Sequence, residues 1–172
     1  MGVKSVTDFG PAVVMREPDL ERALTRVFEI PIDLPPLHRS DFGGTKRYGA
    51  VAAAIGGKIY VGTGYDGANK KDWWEYDPTA NTWTQKTDFG GTARHYAVAA
   101  AINGKIYVGT GYDGAYRKDW WEYDPTANTW TQKTDFGGTA RYYAVAVAIN
   151  GKVYVGTGHD GARKIDWWWQ NK

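Results

Sequence analysis

The sequence predicts an all-β protein built from repeated four-stranded sheets, and three observations support this fold class. First, residues 41–87 are repeated at 88–134 with six changes in 47 positions, and a third copy begins at Asp135 and reaches Lys172, nine residues short of a full period. A fixed period of this length is typical of repeat architectures. Second, strand-favouring Val, Ile, Tyr, Trp and Thr dominate the copies, which contain no leucine. Third, Gly, Asn and Pro divide each copy into runs of strand length.

Each full copy divides into four strands. In the first copy they are predicted at 50–55 (AVAAAI), 58–64 (KIYVGTG), 72–77 (DWWEYD) and 81–86 (NTWTQK). The Gly56-Gly57 pair between the first two is a strong signal for a two-residue hairpin turn. The second copy repeats the same order, whereas the third contains no counterpart of the fourth strand.

Side-chain size rises from the first strand of each unit to the third. The first strand is almost entirely Ala and Val, and the third carries adjacent tryptophans. Wedge-shaped blades around a common axis need small residues near the axis and bulky ones outside. The gradient therefore predicts a β-propeller with about three blades per chain. The units are blade 1 (41–87), blade 2 (88–134) and an incomplete blade 3 (135–172).

The order of motifs within a unit resembles the kelch repeat. A glycine-bearing second strand (GKIYVGTG) is followed by EYDP and then NTW, as the glycine pair, tyrosine and tryptophan follow one another in kelch blades. The resemblance covers residues 41–172. It departs from the kelch pattern because a threonine separates the glycines, as in Gly62-Thr63-Gly64. The resemblance implies a propeller of six or seven blades, more than one chain supplies.

The residues before the repeats differ from them in composition. Residues 11–40 hold all four leucines and five of the seven prolines, and 18–28 has the apolar spacing of a short amphipathic helix. We expect a helical insert here, acting as a linker or as a cap over the assembly. Residues 1–10 include VKSVTDFG, which resembles the TQKTDFGG of the repeats and is a candidate outermost strand that closes a blade.

An incomplete third blade and a misplaced outer strand together predict closure between chains. Two copies of three blades give a six-bladed ring, so we expect a homodimer that exchanges its first strand. The residues assigned to this assembly are Val3, Lys4, Ser5, Val6, Trp167, Trp168 and Trp169.

Composition excludes several classes of function. A net charge of +2 does not indicate a nucleic-acid-binding protein, and without cysteine there is no thiolate catalysis or cysteine metal site. No apolar run is long enough for a transmembrane helix, and no signal peptide is visible, so we expect a soluble chain of unspecified compartment. We expect no metal and no cofactor.

A candidate ligand site lies in the loops that enter the first strand and leave the second. Arginines at the 47-residue period would surround the channel mouth and bind a carboxylate or an acidic peptide. The alternative is that arginine and aspartate pair with one another and that Asp-Gly only makes turns. The candidate residues are Arg47, Arg94, Arg141, Tyr65, Asp66, Tyr112, Asp113, His159 and Asp160.

The function expected from the sequence is a non-catalytic, self-assembling scaffold that is structural or binds a protein or another ligand. The copies are nearly identical, as after recent duplication or deliberate construction, and they contain no asymmetric catalytic set. One alternative is a multivalent carbohydrate-binding propeller that uses the tryptophan pairs, although core packing explains these pairs as well. Another alternative is a sugar-modifying enzyme similar to the kelch-type epimerases.

Overall fold

The computed structural model describes residues 39–170, which form three antiparallel sheets. The predicted helical insert and the candidate strand at Val3–Val6 lie outside the described residues. The strands of blade 1 are β1 (Val51–Ile55), β2 (Lys58–Gly62), β3 (Trp73–Asp77) and β4 (Thr82–Lys86). Those of blade 2 are β5 (Val98–Ile102), β6 (Lys105–Gly109), β7 (Trp120–Asp124) and β8 (Thr129–Lys133). Blade 3 consists of β9 (Val145–Ile149), β10 (Lys152–Gly156) and β11 (Trp167–Gln170).

Each sheet is a simple meander in which every strand pairs with the next. Val51 lies opposite Gly62 at the open end of the first hairpin, and Ile55 lies opposite Lys58 at its turn. Gly56 and Gly57 in that turn have φ angles of 59° and 74°, which suits a two-residue turn that needs left-handed backbone at both positions. The fold-class prediction is therefore confirmed over the described residues, with two complete blades and one of three strands.

The alternation of side chains gives every blade two apolar faces. The front face of blade 1 carries Val51, Tyr60 and Trp73, and the back face of blade 2 carries Ile106 and Val108. These residues form one buried cluster, and a second cluster repeats the arrangement between blades 2 and 3. The innermost strands β1, β5 and β9 lie side by side, where their small residues allow close approach.

The front face of blade 3 is open, and the back face of blade 1 is open at Ile59, although Tyr76 on the same face is buried. Trp167 is 54% exposed, whereas its counterpart Trp120 is completely buried. Ile59 on blade 1 is 39% exposed, whereas its counterpart Ile106 is completely buried. The open front face consists of Val145, Val147, Ile149, Trp167 and Trp169.

No helix in the described part of the chain is long and apolar enough to cross a membrane.

Candidate functional site

The three arginines expected at a channel mouth lie inside the blades. The side chains of Arg94 and Arg141 are buried almost completely, and that of Arg47 is only 4% exposed. Arg94 donates from both terminal nitrogens to Asp119, at 2.5 and 2.7 Å, and from Nη1 to the carbonyl of Thr110 at 2.9 Å. Its guanidinium also lies 5.0 Å from the centre of the Phe89 ring. The other two arginines repeat this arrangement with Asp72 and Asp166.

This placement corrects the expectation of an arginine rim. Each guanidinium joins three parts of its own blade: the segment before the first strand, the end of the second strand and the start of the third. A buried bidentate ion pair of this kind uses the donors that an acidic ligand would need. The arginines are therefore structural cross-links, and they pair with a different aspartate from the one weighed in the sequence.

The aspartates of the Asp-Gly turns have partners of their own. Asp66 accepts a hydrogen bond of 2.6 Å from the hydroxyl of Thr45 and forms an ion pair of 2.7 Å with Lys70. The hydrogen bond with Lys70, followed by that from Thr45, lowers the pKa of Asp66 to about 2. Asp113 and Asp160 are held in the same way, by Thr92 with Arg117 and by Thr139 with Lys164. These carboxylates therefore anchor loops within each blade.

The candidate tyrosines and His159 belong to a continuous aromatic surface that crosses all three blades. It is formed by the loops that leave the second strand and by the segments that enter the first. Neighbouring ring centres lie between 3.9 and 6.2 Å apart, distances typical of interacting aromatic pairs. The aromatic surface consists of Tyr48, Tyr65, His95, Tyr96, Tyr112, Tyr116, Tyr142, Tyr143 and His159.

Two tyrosines of this surface are held in a strained backbone conformation. Tyr96 and Tyr143 have φ angles of 54° and 56°, and the first copy has Gly49 at this position, with φ of 63°. Left-handed backbone is uncommon for a residue with a bulky side chain, and such strain concentrates at functional sites. The ring centres of Tyr96 and Tyr143 lie 3.9 Å apart, and their hydrogen bond is the main cause that raises the pKa of Tyr143 to about 12. Tyr143 is nevertheless 53% exposed, so its ring is accessible to a ligand.

The histidines of the surface do not form a metal centre. The Nδ1 of His95 donates to the side-chain oxygen of Asn69 at 2.6 Å, and burial lowers the pKa of this histidine. Among residues 39–170, no group of three His, Cys, Asp or Glu side chains is placed to hold a metal ion.

The tryptophan pairs divide between the two faces of each blade. Trp73 and Trp120 are completely buried on front faces, so neither can stack on a sugar. Trp74 is half-buried on the back face, where its indole nitrogen donates to Asp72 at 2.7 Å. In blade 3 the assembly residues Trp167 and Trp169 lie on the open front face, and Trp168 lies on the opposite side of the strand.

Sequence reasoning missed two groups of residues at this site. The aspartates that bind the arginines, such as Asp72, directly precede each tryptophan pair. From the sequence they were interpreted only as the first residues of the third strands. The strained tyrosines were not singled out, although Gly49 is replaced by tyrosine in the later copies. The available signal was that this position is glycine in the first copy and tyrosine in the second and third.

Comparisons with known proteins agree with this architecture. Residues 37–158 match the family model described as the KLHDC2/KLHL20/DRC7 Kelch-repeats domain. A solved structure titled "Structure of YjhT" is similar with a TM-score of 0.57 and 25% sequence identity, over 66% of this chain and 35% of that chain. The chain thus spans about a third of the length of that protein. No curated protein matches the sequence. Since the family model covers well over half of its residues, the chain belongs to the kelch-repeat proteins.

Proposed function

We propose that this chain is a non-catalytic scaffold that closes into a six-bladed ring by homodimerisation. The observation that supports the proposal is the pair of open faces at the two ends of the three-blade array. The front face of blade 3 carries Val145, Ile149 and Trp167 where the internal contacts use valine, isoleucine and tryptophan, and Val147 and Trp169 add apolar surface in place of alanine and glutamate. The back face of blade 1 carries the isoleucine and valine that are buried at the internal contact. A second copy would therefore bury both faces with the packing already used inside the chain.

The energetic reason for closure is hydrophobic. Val145, Val147, Ile149 and two tryptophans are each about half exposed on the front face of blade 3. Fully burying one aliphatic side chain of this size stabilises by about 1.5–3 kcal/mol, so covering its exposed half contributes roughly half of that. Each homodimer would bury two such faces against two back faces, since the contact pairs different surfaces and a twofold ring forms it twice.

The exchanged strand belongs to the same proposal. In blades 1 and 2, β4 and β8 cover the outer edge of β3 and β7. In blade 3, β11 pairs with β10 on one side only within the described residues. A strand from residues 3–6 of the second copy would complete this sheet.

A substitution on the open face tests the assembly. The counterpart of Val147 in blade 2, Ala100, is only 6% exposed at the internal contact. We expect Val147→Glu to convert the dimer to monomer at micromolar concentration, because each contact would bury an unpaired carboxylate. Sedimentation velocity measures this, and Thr131→Glu on the exposed outer strand β8 is the matched control. A Val147→Glu protein that remains dimeric would contradict the proposed interface.

The aromatic surface favours a second candidate function, the binding of neutral saccharides. The aspartates beside the rings are paired with Lys70, Arg117 and Lys164, so aromatic faces and phenolic hydroxyls make up much of the exposed chemistry. Such groups suit ligands with an apolar ring face and many hydroxyls.

Calorimetric titration with a panel of neutral oligosaccharides tests this candidate. We expect binding that Tyr143→Ala weakens by roughly tenfold, through loss of the exposed ring. Thr131→Ala, on the exposed side of β8 and outside the aromatic surface, serves as the control. Absence of binding across the panel, or equal affinity for Tyr143→Ala, would exclude the candidate.

A further inference from the structure

The differences between the first two repeats are concentrated in two loops that meet at each blade junction. We call the residues between the second and third strands the exit loop (63–72 in blade 1). We call the residues before the first strand the lead-in (45–50 in blade 1). Five of the six differences between the first two copies lie in one or the other.

The exit loop of each blade runs antiparallel to the lead-in of the next blade. Lys70 pairs with Arg94 at the first junction, and Arg117 pairs with Arg141 at the second. The same four backbone hydrogen bonds recur at both junctions, including the one from Gly64 N–H to the carbonyl of Arg94 at 2.8 Å. This register determines which side chains face each other across a junction.

At the first junction the register places Asn69 opposite His95, and the two side chains are hydrogen-bonded at 2.6 Å. The ring of Tyr65 lies 5.4 Å from that of His95. Two residues further along the exit loop, Lys71 lies opposite Ala93, and both line a pocket of about 670 Å³. The side chain of Lys71 therefore faces the methyl group of Ala93.

At the second junction one of the two facing pairs changes on both sides. Tyr116 replaces the asparagine and stacks on Tyr142, with ring centres 5.4 Å apart and an angle of 7° between the planes. Lys118 again faces an alanine, Ala140, across a pocket of about 460 Å³. The Asn69–His95 pair is thus replaced on both sides by Tyr116–Tyr142, whereas the lysine–alanine pair is kept at both junctions.

Three residues at the two ends of the array, Arg163, Ile165 and Lys46, have no counterpart of the same type at either internal junction, whereas Tyr48 corresponds to Tyr142 of the second. The exit loop of blade 3 has Arg163 and Ile165 where the earlier blades have Asn or Tyr and Lys. The lead-in of blade 1 has Lys46 and Tyr48, whereas the later blades begin with alanine followed by histidine or tyrosine. If these two ends meet in the same register, Arg163 faces Tyr48 and Ile165 faces Lys46.

We infer that the exit loop of blade 3 docks on the lead-in of blade 1 of a second copy, with Arg163 on Tyr48 and Ile165 against Lys46. This inference rests on the proposed homodimer and assigns its contact residues. A guanidinium stacked on a tyrosine ring is a favourable pair. His159 of one copy then lies beside Tyr48 of the other, which keeps the Tyr–His pair of the first junction with the two residues exchanged.

The Ile165–Lys46 pair explains why the lysine of the exit loop is replaced in blade 3. A lysine at position 165 would face Lys46 and place two like charges together. With isoleucine there, the junction keeps one cation and one uncharged residue, as the internal junctions do. Ile165 is 93% exposed in the single chain, and the aliphatic stem of Lys46 would cover it.

Disulfide cross-linking tests the register directly, because the chain contains no cysteine of its own. The variant Lys46→Cys/Ile165→Cys should form an intermolecular disulfide under mild oxidation and run as a covalent dimer on a non-reducing gel. The matched control, Lys71→Cys/Ala93→Cys, places the same pair at an internal junction and should cross-link within one chain. Facing residues of adjacent strands lie within the span that a disulfide requires.

A charged substitution at position 165 tests the same contact through the dissociation constant of the dimer. Ile165→Lys should raise the dissociation constant of the dimer by roughly tenfold, since the repulsion acts at two junctions. Adding Lys46→Ala to that variant recreates the Lys–Ala pair of the internal junctions and should restore the original constant. Lys118→Ile, the same position in blade 2, should leave the constant unchanged.

The outcomes separate this inference from the proposed function. If the unmodified chain is a dimer but the 46/165 cysteines do not cross-link, or Lys46→Ala does not rescue Ile165→Lys, the assigned junction is wrong and the dimer uses other surfaces. If the unmodified chain is a monomer at tens of micromolar, both the homodimer and its junction are wrong.

Discussion

The best-defined interaction at the scale of single residues is the buried arginine–aspartate pair that recurs in every blade. Burial raises the pKa of Asp119, but the bidentate hydrogen bonds from Arg94 outweigh this effect and hold the pKa below its usual range. The same balance lowers the pKa of Asp72. The arginines were visible in the sequence at a fixed period, but their partners were not. Both Asp66 and Asp72 recur at that period, and only the path of the exit loop determines which one the guanidinium reaches.

These pairs, together with the Asp66–Lys70 and Asp160–Lys164 pairs of the Asp-Gly turns, predict that the protein loses stability in mild acid. The aspartates have lower pKa values in the folded chain than the ordinary value of 3.8, so the unfolded chain binds more protons as the pH falls. The contribution of these aspartates to the free energy of unfolding is complete above about pH 5. It is lost as the pH falls from about 4 towards 2, where Asp66 and Asp160 titrate. Urea unfolding at fixed ionic strength and protein concentration should show a falling free energy between pH 5 and pH 3.

The variant Asp119→Asn is the control for this dependence. It should be less stable than the unmodified chain at pH 6, because Arg94 keeps its charge in a buried site without a counter-ion. Its free energy of unfolding should also change less with pH. Equal stability of the unmodified chain at pH 5 and pH 3 would show that the ion pairs do not contribute as described.

At the scale of strands, the fourth strand of a blade also stabilises the blade before it. Trp130 on β8 packs against Trp73 of blade 1, with ring centres 5.1 Å apart, and lies 5.0 Å from Phe89. The sequence predicted the strands and their order because period-two alternation and turn residues are local signals. The packing of an outer-strand tryptophan on the preceding blade depends on how the blades stack, and no local pattern indicates it.

Truncation of this tryptophan should weaken the junction between blades 1 and 2. We expect Trp130→Ala to lower the free energy of unfolding by about 3 kcal/mol, because it leaves a cavity among aromatic rings. Thr131→Ala, the exposed neighbour on β8, should stay within about 0.5 kcal/mol of the unmodified chain. Chemical denaturation monitored by tryptophan fluorescence compares them, and equal losses for both variants would contradict the packing.

At the scale of the whole molecule, residues 39–170 form a three-blade array, and we propose that its two ends are complementary. The fold was predictable from the repeat, because the sequence of each unit specifies the strands of a blade and the contact of that blade with the next. The aromatic surface was less predictable, since Tyr96 and Tyr143 differ from Gly49 in the first copy and their role depends on neighbours in adjacent blades. The differences between the copies become informative once the register shows which residues face each other.

The solution mass of the unmodified chain tests the central claim most directly. Light scattering coupled to size exclusion at about 10 µM should give twice the 19.1 kDa of one chain, as expected for obligate pairing of two open apolar faces. A mass of 19.1 kDa at that concentration, with the near-native strand content retained by circular dichroism, would contradict closure by a second copy.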